Sequence, residues 1–189
     1  MPDAPPLRPA VFLDRDGTVI EEVGYLNHLS RFRMFHFAAD SIQRLNVAGL
    51  PVVVVTNQSG VARGLFPASL VDEVHREMTR QLGLADARVD GIYVCMHGPQ
   101  DGCECRKPKT GLLKQAAREH NLDLKRSFVV GDRYADVEMA HRAGARAILV
   151  ATGYGRGELE WHGPSWPGQP DFLADDLSAA VTWILKEPR

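Results

Sequence analysis

Two carboxylates one residue apart, in Asp14-Arg15-Asp16-Gly17-Thr18, follow directly on the apolar run Ala10-Val11-Phe12-Leu13. A strand that ends in such a pair and then turns at a glycine presents a nucleophile, a second acid and part of a metal site at one sheet edge. That set suits phosphoryl transfer through an aspartyl-phosphate. Asp and Gly are also common turn residues, so the pentapeptide alone does not separate a catalytic centre from a polar turn.

Three further segments bear on the choice. Thr56-Asn57-Gln58-Ser59-Gly60 follows a second apolar run and offers a hydroxyl, an amide and free backbone N–H groups, which suit the oxygens of a phosphate. Gly131-Asp132-Arg133-Tyr134-Ala135-Asp136 brings two more carboxylates after another such run. Mg²⁺ favours a few carboxylates plus water and phosphate oxygens, and Asp14, Asp16 and Asp132 could supply that site. Helix capping by Asp132 and Asp136 is the plainer reading, and it is compatible with function. In Arg106-Lys107-Pro108-Lys109, a lysine brought near an aspartyl nucleophile would offset negative charge.

All three cysteines lie close together, as Cys95, Cys103 and Cys105, and His97 falls between them. Clustered thiols with an imidazole favour a metal over a disulfide framework. Three thiolates and one nitrogen suit a closed tetrahedral Zn²⁺ site, which leaves no position for water and is therefore structural. Such a zinc loop, residues 95–105, would pin the segment that presents Arg106 and Lys107.

The elements that must position these groups are legible as an alternation. Apolar runs at 10–13, 52–55, 91–95, 128–130 and 147–150 are nearly continuous, as strands buried on both faces are. Helical patterns at 38–48, 67–82, 110–120 and 135–143 lie between them, and 175–186 reads as a closing helix. The fold class is therefore α/β, a doubly wound, Rossmann-like parallel sheet in three layers, with function at the carboxyl ends of the strands. Residues 153–170, rich in Gly and Pro, read as one long surface loop, with Gly153 to Gly157 a flexible part of it. Trp161, His162 and Trp166 are expected to pack against the surface.

With 189 residues and a net charge of −2, residues 1–189 are expected to form one domain, with neither a basic stripe for nucleic acid nor a membrane anchor. No apolar run reaches the roughly 20 residues that span a bilayer, and the proline-rich start lacks a leader pattern. A cytoplasmic monomer acting on a small molecule is the expectation.

The ordered set DRDGT, TNQSG, RKP and GDRYAD resembles the haloacid dehalogenase superfamily of aspartate-nucleophile phosphatases over nearly the whole chain. The resemblance implies that Asp14 takes the phosphoryl group and that Asp16 protonates the leaving alkoxide, then activates water. It implies that Asp14, the backbone carbonyl of Asp16, and Asp132 hold Mg²⁺. Thr56 and Lys107 would stabilise the phosphoryl group with Asn57 assisting, and Arg106 would recognise the substrate. Arg133, which stands where the family often has lysine, is also expected to bind the substrate. A phosphorylated sugar is the implied substrate, with histidinol phosphate or another small phosphomonoester as the alternative. A zinc-stabilised binding protein without chemistry is the remote one.

Relatives often carry a cap domain. Only 41 residues separate Asp14 from Thr56, and the following interval is filled by a helix, a strand and the zinc loop, so a capless fold is expected. Selectivity then falls to surface loops: Glu22 to Tyr25, Arg63 and the zinc loop with Arg106, with Gly153 to Gly157 as a further candidate. Arg63 and Arg106 are candidates to hold the distal phosphate of a bisphosphate, and for Arg63 a solvated loop charge is an equal alternative.

Overall fold

Six strands, β1 (Val11–Leu13), β2 (Val52–Asn57), β3 (Gly91–Cys95), β4 (Phe128–Gly131), β5 (Arg146–Val150) and β6 (Phe172–Ala174), form one sheet in the order β3-β2-β1-β4-β5-β6. Every pairing is parallel. The computed structural model describes residues 6–188; residues 1–5 and 189, the ends of the expected 1–189 unit and most of the proline-rich start, lie outside the described residues.

Alternation across the pleat explains why the strands are apolar throughout. Val11 and Leu13 face one core with Val52, Val54, Phe128, Val130, Ile148 and Val150. Ala10 and Phe12 face the other, with Val53, Val55, Val129, Ala147 and Leu149. Side chains at i and i+2 share a face, so a sheet covered on both sides needs apolar residues at every position.

The helices α1 (Ala38–Val47), α2 (Ala68–Gly83) and α6 (Leu177–Ile184) cover the first face. On the second lie α3 (Gly111–His120) and α4 (Tyr134–Ala143), with Leu159 of α5 (Gly155–His162) packed beside them. In α2, Leu70, Val71, Val74, Met78 and Leu82 recur at helical spacing and are the buried residues of that helix. The expected three-layer parallel architecture is therefore present, and no cap domain interrupts it among the described residues. No described helix is long and apolar enough to cross a membrane.

The segment 153–170 departs from the expectation of a single loop. It contains α5, and a sixth strand follows it. Gly155 opens α5 and is buried; a Cβ there would lie 1.8 Å from the Val150 carbonyl oxygen. Its glycine answers a close approach of two backbones, and not a need for flexibility. Trp166 does pack, stacking on Tyr134 with centroids 4.5 Å apart, whereas Trp161 is 74% exposed.

Candidate active site

The strand order reverses between β1 and β4, and β–α loops diverge there at the carboxyl ends, opening a crevice. A cleft of about 420 Å³ occupies it. Asp14, Asp16, Thr56, Asn57, Lys107 and Asp132 line the cleft, and so do Glu22, Tyr25, Arg63, Arg106 and Arg133. Segments spread over more than a hundred residues of chain thus meet in one place.

Asp14 is the first residue beyond β1, and its N–H continues the ladder to the Val130 carbonyl at 2.8 Å. Its Oδ1 accepts the Arg15 N–H at 2.7 Å, and its Oδ2 lies 2.8 Å from Lys107 Nζ. The lysine is buried too. It contacts Asp136 Oδ1 at 2.7 Å and donates to the Val55 carbonyl at 3.3 Å. Burial works against the charge on Lys107, yet Asp136 and Asp14 outweigh it and hold its pKa above the ordinary value. Burial presses the Asp14 carboxyl upward; Lys107 opposes the rise, while Asp136 and Asp16 add to it.

Asp132 sits just past β4. Burial first, then the charges of Asp14 and Asp136, push its carboxyl up, against the N–H of Tyr154, which donates to Oδ2 at 2.8 Å. Two glycines give this carboxylate its room. A Cβ on Gly17 (φ +78°) or on Gly153 (φ +56°) would come within 2.1 Å of Asp132 Oδ2. Asp14, Asp132 and Asp136 each bring an oxygen to within 4.8 Å of the others. Three buried carboxylates lie near one buried ammonium, which contacts Asp14 and Asp136, so hard oxygen donors are gathered where positive charge is short. Asp14 and Asp132, the two expected carboxylate ligands, fit Mg²⁺; the Asp16 carboxylate is not in this group, its expected ligand being the backbone carbonyl, and Asp136 is engaged by Lys107.

Asp16 is held from two sides. Arg15, only 1% exposed, reaches back with Nη2 and Nε to its carboxylate at 3.0 to 3.1 Å. Gln58 Nε2 donates to Asp16 Oδ2 at 2.8 Å and to Thr56 Oγ1 at 2.9 Å. His75, on α2, meets Arg15 Nη1 at 3.1 Å; burial, and then the arginine charge, bring its pKa down to about 4. The Asn57 amide engages the Lys107 backbone, accepting its N–H at 3.2 Å and donating to its carbonyl at 3.4 Å. These contacts tie TNQSG to the lysine loop.

Cys95, His97, Cys103 and Cys105 also bring their ligand atoms to within 4.8 Å of one another. Cys105 Sγ lies 3.0 Å from Cys95 Sγ, 3.4 Å from Cys103 Sγ and 3.1 Å from His97 Nδ1. Three sulfurs and a nitrogen closing on one point fit Zn²⁺. Arg106 follows directly and donates from Nη1 to the His97 carbonyl at 3.3 Å.

Several partners were not singled out from sequence: Arg15, Gln58, His75 and Asp136 as the lysine's counter-ion; Tyr154 lies in the 153–157 loop, a selectivity candidate in which no single residue was picked out. Asp136 also accepts the Arg133 N–H at 3.3 Å at the start of α4, so its capping role and its ion pair coexist. Glu22 faces the cleft and accepts the Gly24 N–H at 2.5 Å. Burial and the charge of Asp16 raise its pKa, with Arg133 and Arg15 pulling the other way.

A parallel sheet with the 3-2-1-4-5-6 order, and paired aspartates, a lysine and a third aspartate at its reversal point, define a haloacid dehalogenase-like hydrolase. The HAD-hydrolase-like family model matches residues 104–180. The D-glycero-D-manno-heptose-1,7-bisphosphate 7-phosphatase of Thermosynechococcus vestitus is 41% identical over 188 residues, covering 94% of this chain and 95% of the relative. The corresponding protein of Pseudomonas putida is 36% identical over 176 residues, covering 93% and 98%. The crystal structure of D,D-heptose 1,7-bisphosphate phosphatase from B. bronchiseptica, complexed with magnesium and phosphate, superposes with a TM-score of 0.87 at 36% identity, covering 95% of this chain and 99% of that one. The chain belongs to the D-glycero-D-manno-heptose-1,7-bisphosphate 7-phosphatase family.

Proposed function

We propose that this protein hydrolyses the 7-phosphate of D-glycero-D-manno-heptose 1,7-bisphosphate, leaving the 1-phosphate, through an aspartyl-phosphate on Asp14. The contact that carries the reading is Lys107 Nζ at 2.8 Å from Asp14 Oδ2, an ammonium fixed beside a buried carboxylate at the head of the cleft. Family membership supports the substrate.

An oxygen of Asp14 attacks phosphorus, and the sugar oxygen departs with a proton from Asp16. Asp16 then takes a proton from the water that attacks the acyl phosphate, so inorganic phosphate leaves and Asp14 is restored. Arg15 and Gln58 keep the Asp16 carboxylate aimed. Lys107, with Thr56, stabilises the charge that builds on the phosphoryl oxygens. Asp14, the Asp16 carbonyl and Asp132 would hold Mg²⁺, which when bound supplies positive charge against those oxygens. Zn²⁺ on Cys95, His97, Cys103 and Cys105 would be structural.

Arg63 and Arg106 are assigned to the distal phosphate. The net charge of −2 suits a diffusible substrate and offers neither a basic stripe for nucleic acid nor a polybasic membrane anchor; we infer a cytoplasmic monomer. The test is phosphate release from heptose bisphosphate, histidinol phosphate and simple sugar phosphates, compared by kcat/KM. The wild type is expected to favour the heptose bisphosphate and Asp14→Asn to release no phosphate. Comparable release by both proteins would overturn the nucleophile assignment, and a preference for histidinol phosphate would overturn the substrate.

A further inference from the structure

Beside Asp132 lies a group of side chains that the chemistry at phosphorus leaves unused. The Arg133 guanidinium carbon sits 3.7 Å over the Tyr154 ring, and its Nη1 is 3.6 Å from Glu158 Oε1. Glu158 is itself fixed, since its Oε2 accepts the Tyr134 N–H at 2.9 Å. Arg133, Tyr154 and Glu22 all line the cleft.

The backbone that carries the ring is held in place. The Tyr154 N–H is bonded to Asp132, Thr152 Oγ1 donates to the Gly17 carbonyl at 2.6 Å, and Gly155 is pressed against Val150. A guanidinium held over a ring by its carbon keeps the N–H groups of its planar fork free to donate. Glu158 lies on the Nη1 side as a loose ion-pair partner, 3.6 Å away. A lysine at this position would have no planar face to lay on the ring and no fixed set of donors.

Glu22, in the same cleft, adds an acceptor to these donors. A carboxylate beside a guanidinium repels an isolated phosphate but matches alcohols, because each hydroxyl both donates and accepts. We propose that Tyr154 is a positioning residue whose ring holds Arg133 so that, together with Glu22, it binds the hydroxyl groups of a phosphorylated sugar. This rests on the reading of the cleft as a sugar-phosphate phosphatase site. The polyol contacts thus come from the loops after β1 and β4, supported from the β5–α5 connection, apart from the arginines assigned to the second phosphate.

The test compares kcat/KM for heptose bisphosphate, other sugar phosphates and para-nitrophenyl phosphate, which has no hydroxyl groups on its ring. Tyr154→Ala is expected to lose about tenfold more on sugar phosphates than on the aryl phosphate, chiefly through KM. Tyr154→Phe keeps the wild-type ratio, because the ring face and not the hydroxyl supports the cation. Glu22→Gln and Arg133→Met shift the ratio in the same direction as Tyr154→Ala, and they carry the test if Tyr154→Ala does not fold. Equal losses on both substrate classes, a Tyr154→Phe protein no better than Tyr154→Ala, or a wild type with no preference for sugar over aryl phosphate would each overturn the proposal. A wild type that prefers another sugar phosphate overturns the heptose assignment instead, and the Tyr154 ratio still decides this one.

Discussion

Lys107 Nζ lies 2.7 Å from Asp136 Oδ1, and both side chains are almost wholly removed from water. Taking away one member of a buried pair strands the charge of the other, at a cost of about 3–5 kcal/mol. Asp14 remains as a partner for Lys107, so Asp136→Ala is expected at the lower end, about 3 kcal/mol. Urea unfolding should show a lower midpoint at unchanged slope. A midpoint equal to wild type would mean that Asp14 alone satisfies the lysine.

Gly153 and Gly157 stand four residues apart and should respond oppositely to alanine. At Gly153 the new Cβ would meet Asp132 Oδ2 at 2.1 Å and the Gly17 Cα at 2.7 Å, at a φ of +56°. Gly153→Ala is therefore expected to cost at least about 1 kcal/mol and to weaken Mg²⁺ binding, read by titration of the metal. Gly157 lies in α5 with its nearest neighbour, Trp161, 3.9 Å from a Cβ. Gly157→Ala should stabilise by up to about 1 kcal/mol, because alanine is the better helix former. Thermal melts that move in the same direction for both would contradict this.

Chelation should act locally. The four ligands lie within residues 95–105, while the apolar strands carry the core. Removing Zn²⁺ is expected to abolish amide protection around 95–111 and leave β1, β2 and β4 protected, measured by hydrogen exchange. Cys103→Ser should lose bound zinc and activity together. Full activity in that variant would argue against a structural role for the metal.

Arg106→Ala is expected to narrow discrimination between bisphosphate and monophosphate substrates. A charge-assisted contact to phosphate is worth roughly 1.5–3 kcal/mol, so kcat/KM for the bisphosphate should fall by at least about tenfold. The measurement is the ratio of kcat/KM values for the two substrates. An unchanged ratio would remove Arg106 from the distal phosphate.

Much of this was legible because doubly wound sheets translate sequence into place. Five apolar runs became β1 to β5, and each polar motif after a run landed at the same edge. What escaped was contact made at long range or by short elements. The strand β6 spans three residues and α5 eight, too few for periodicity to stand out amid Gly and Pro. Asp136 resembled a helix cap because it is one; its bond to Lys107, 29 positions away, leaves no trace in local pattern. Tyr154 belongs to a loop whose glycines suggested freedom, whereas Gly153 and Gly155 are there to admit other backbone and the Asp132 carboxylate.

The pairing of Val11 with Phe128 has a bearing on biosynthesis. Asp14 emerges early from the ribosome, but the strand that brings Asp132 beside it comes more than a hundred residues later, and Tyr154 later still. Contacts of such sequence separation form late in folding. A nascent or proteolysed chain that stops before β4 therefore carries Asp14 without the Asp132 and Asp136 carboxylates that face it. Such a fragment also lacks Arg133 and Tyr154, so the donor cluster and the cleft wall beside it are completed by the same late segment.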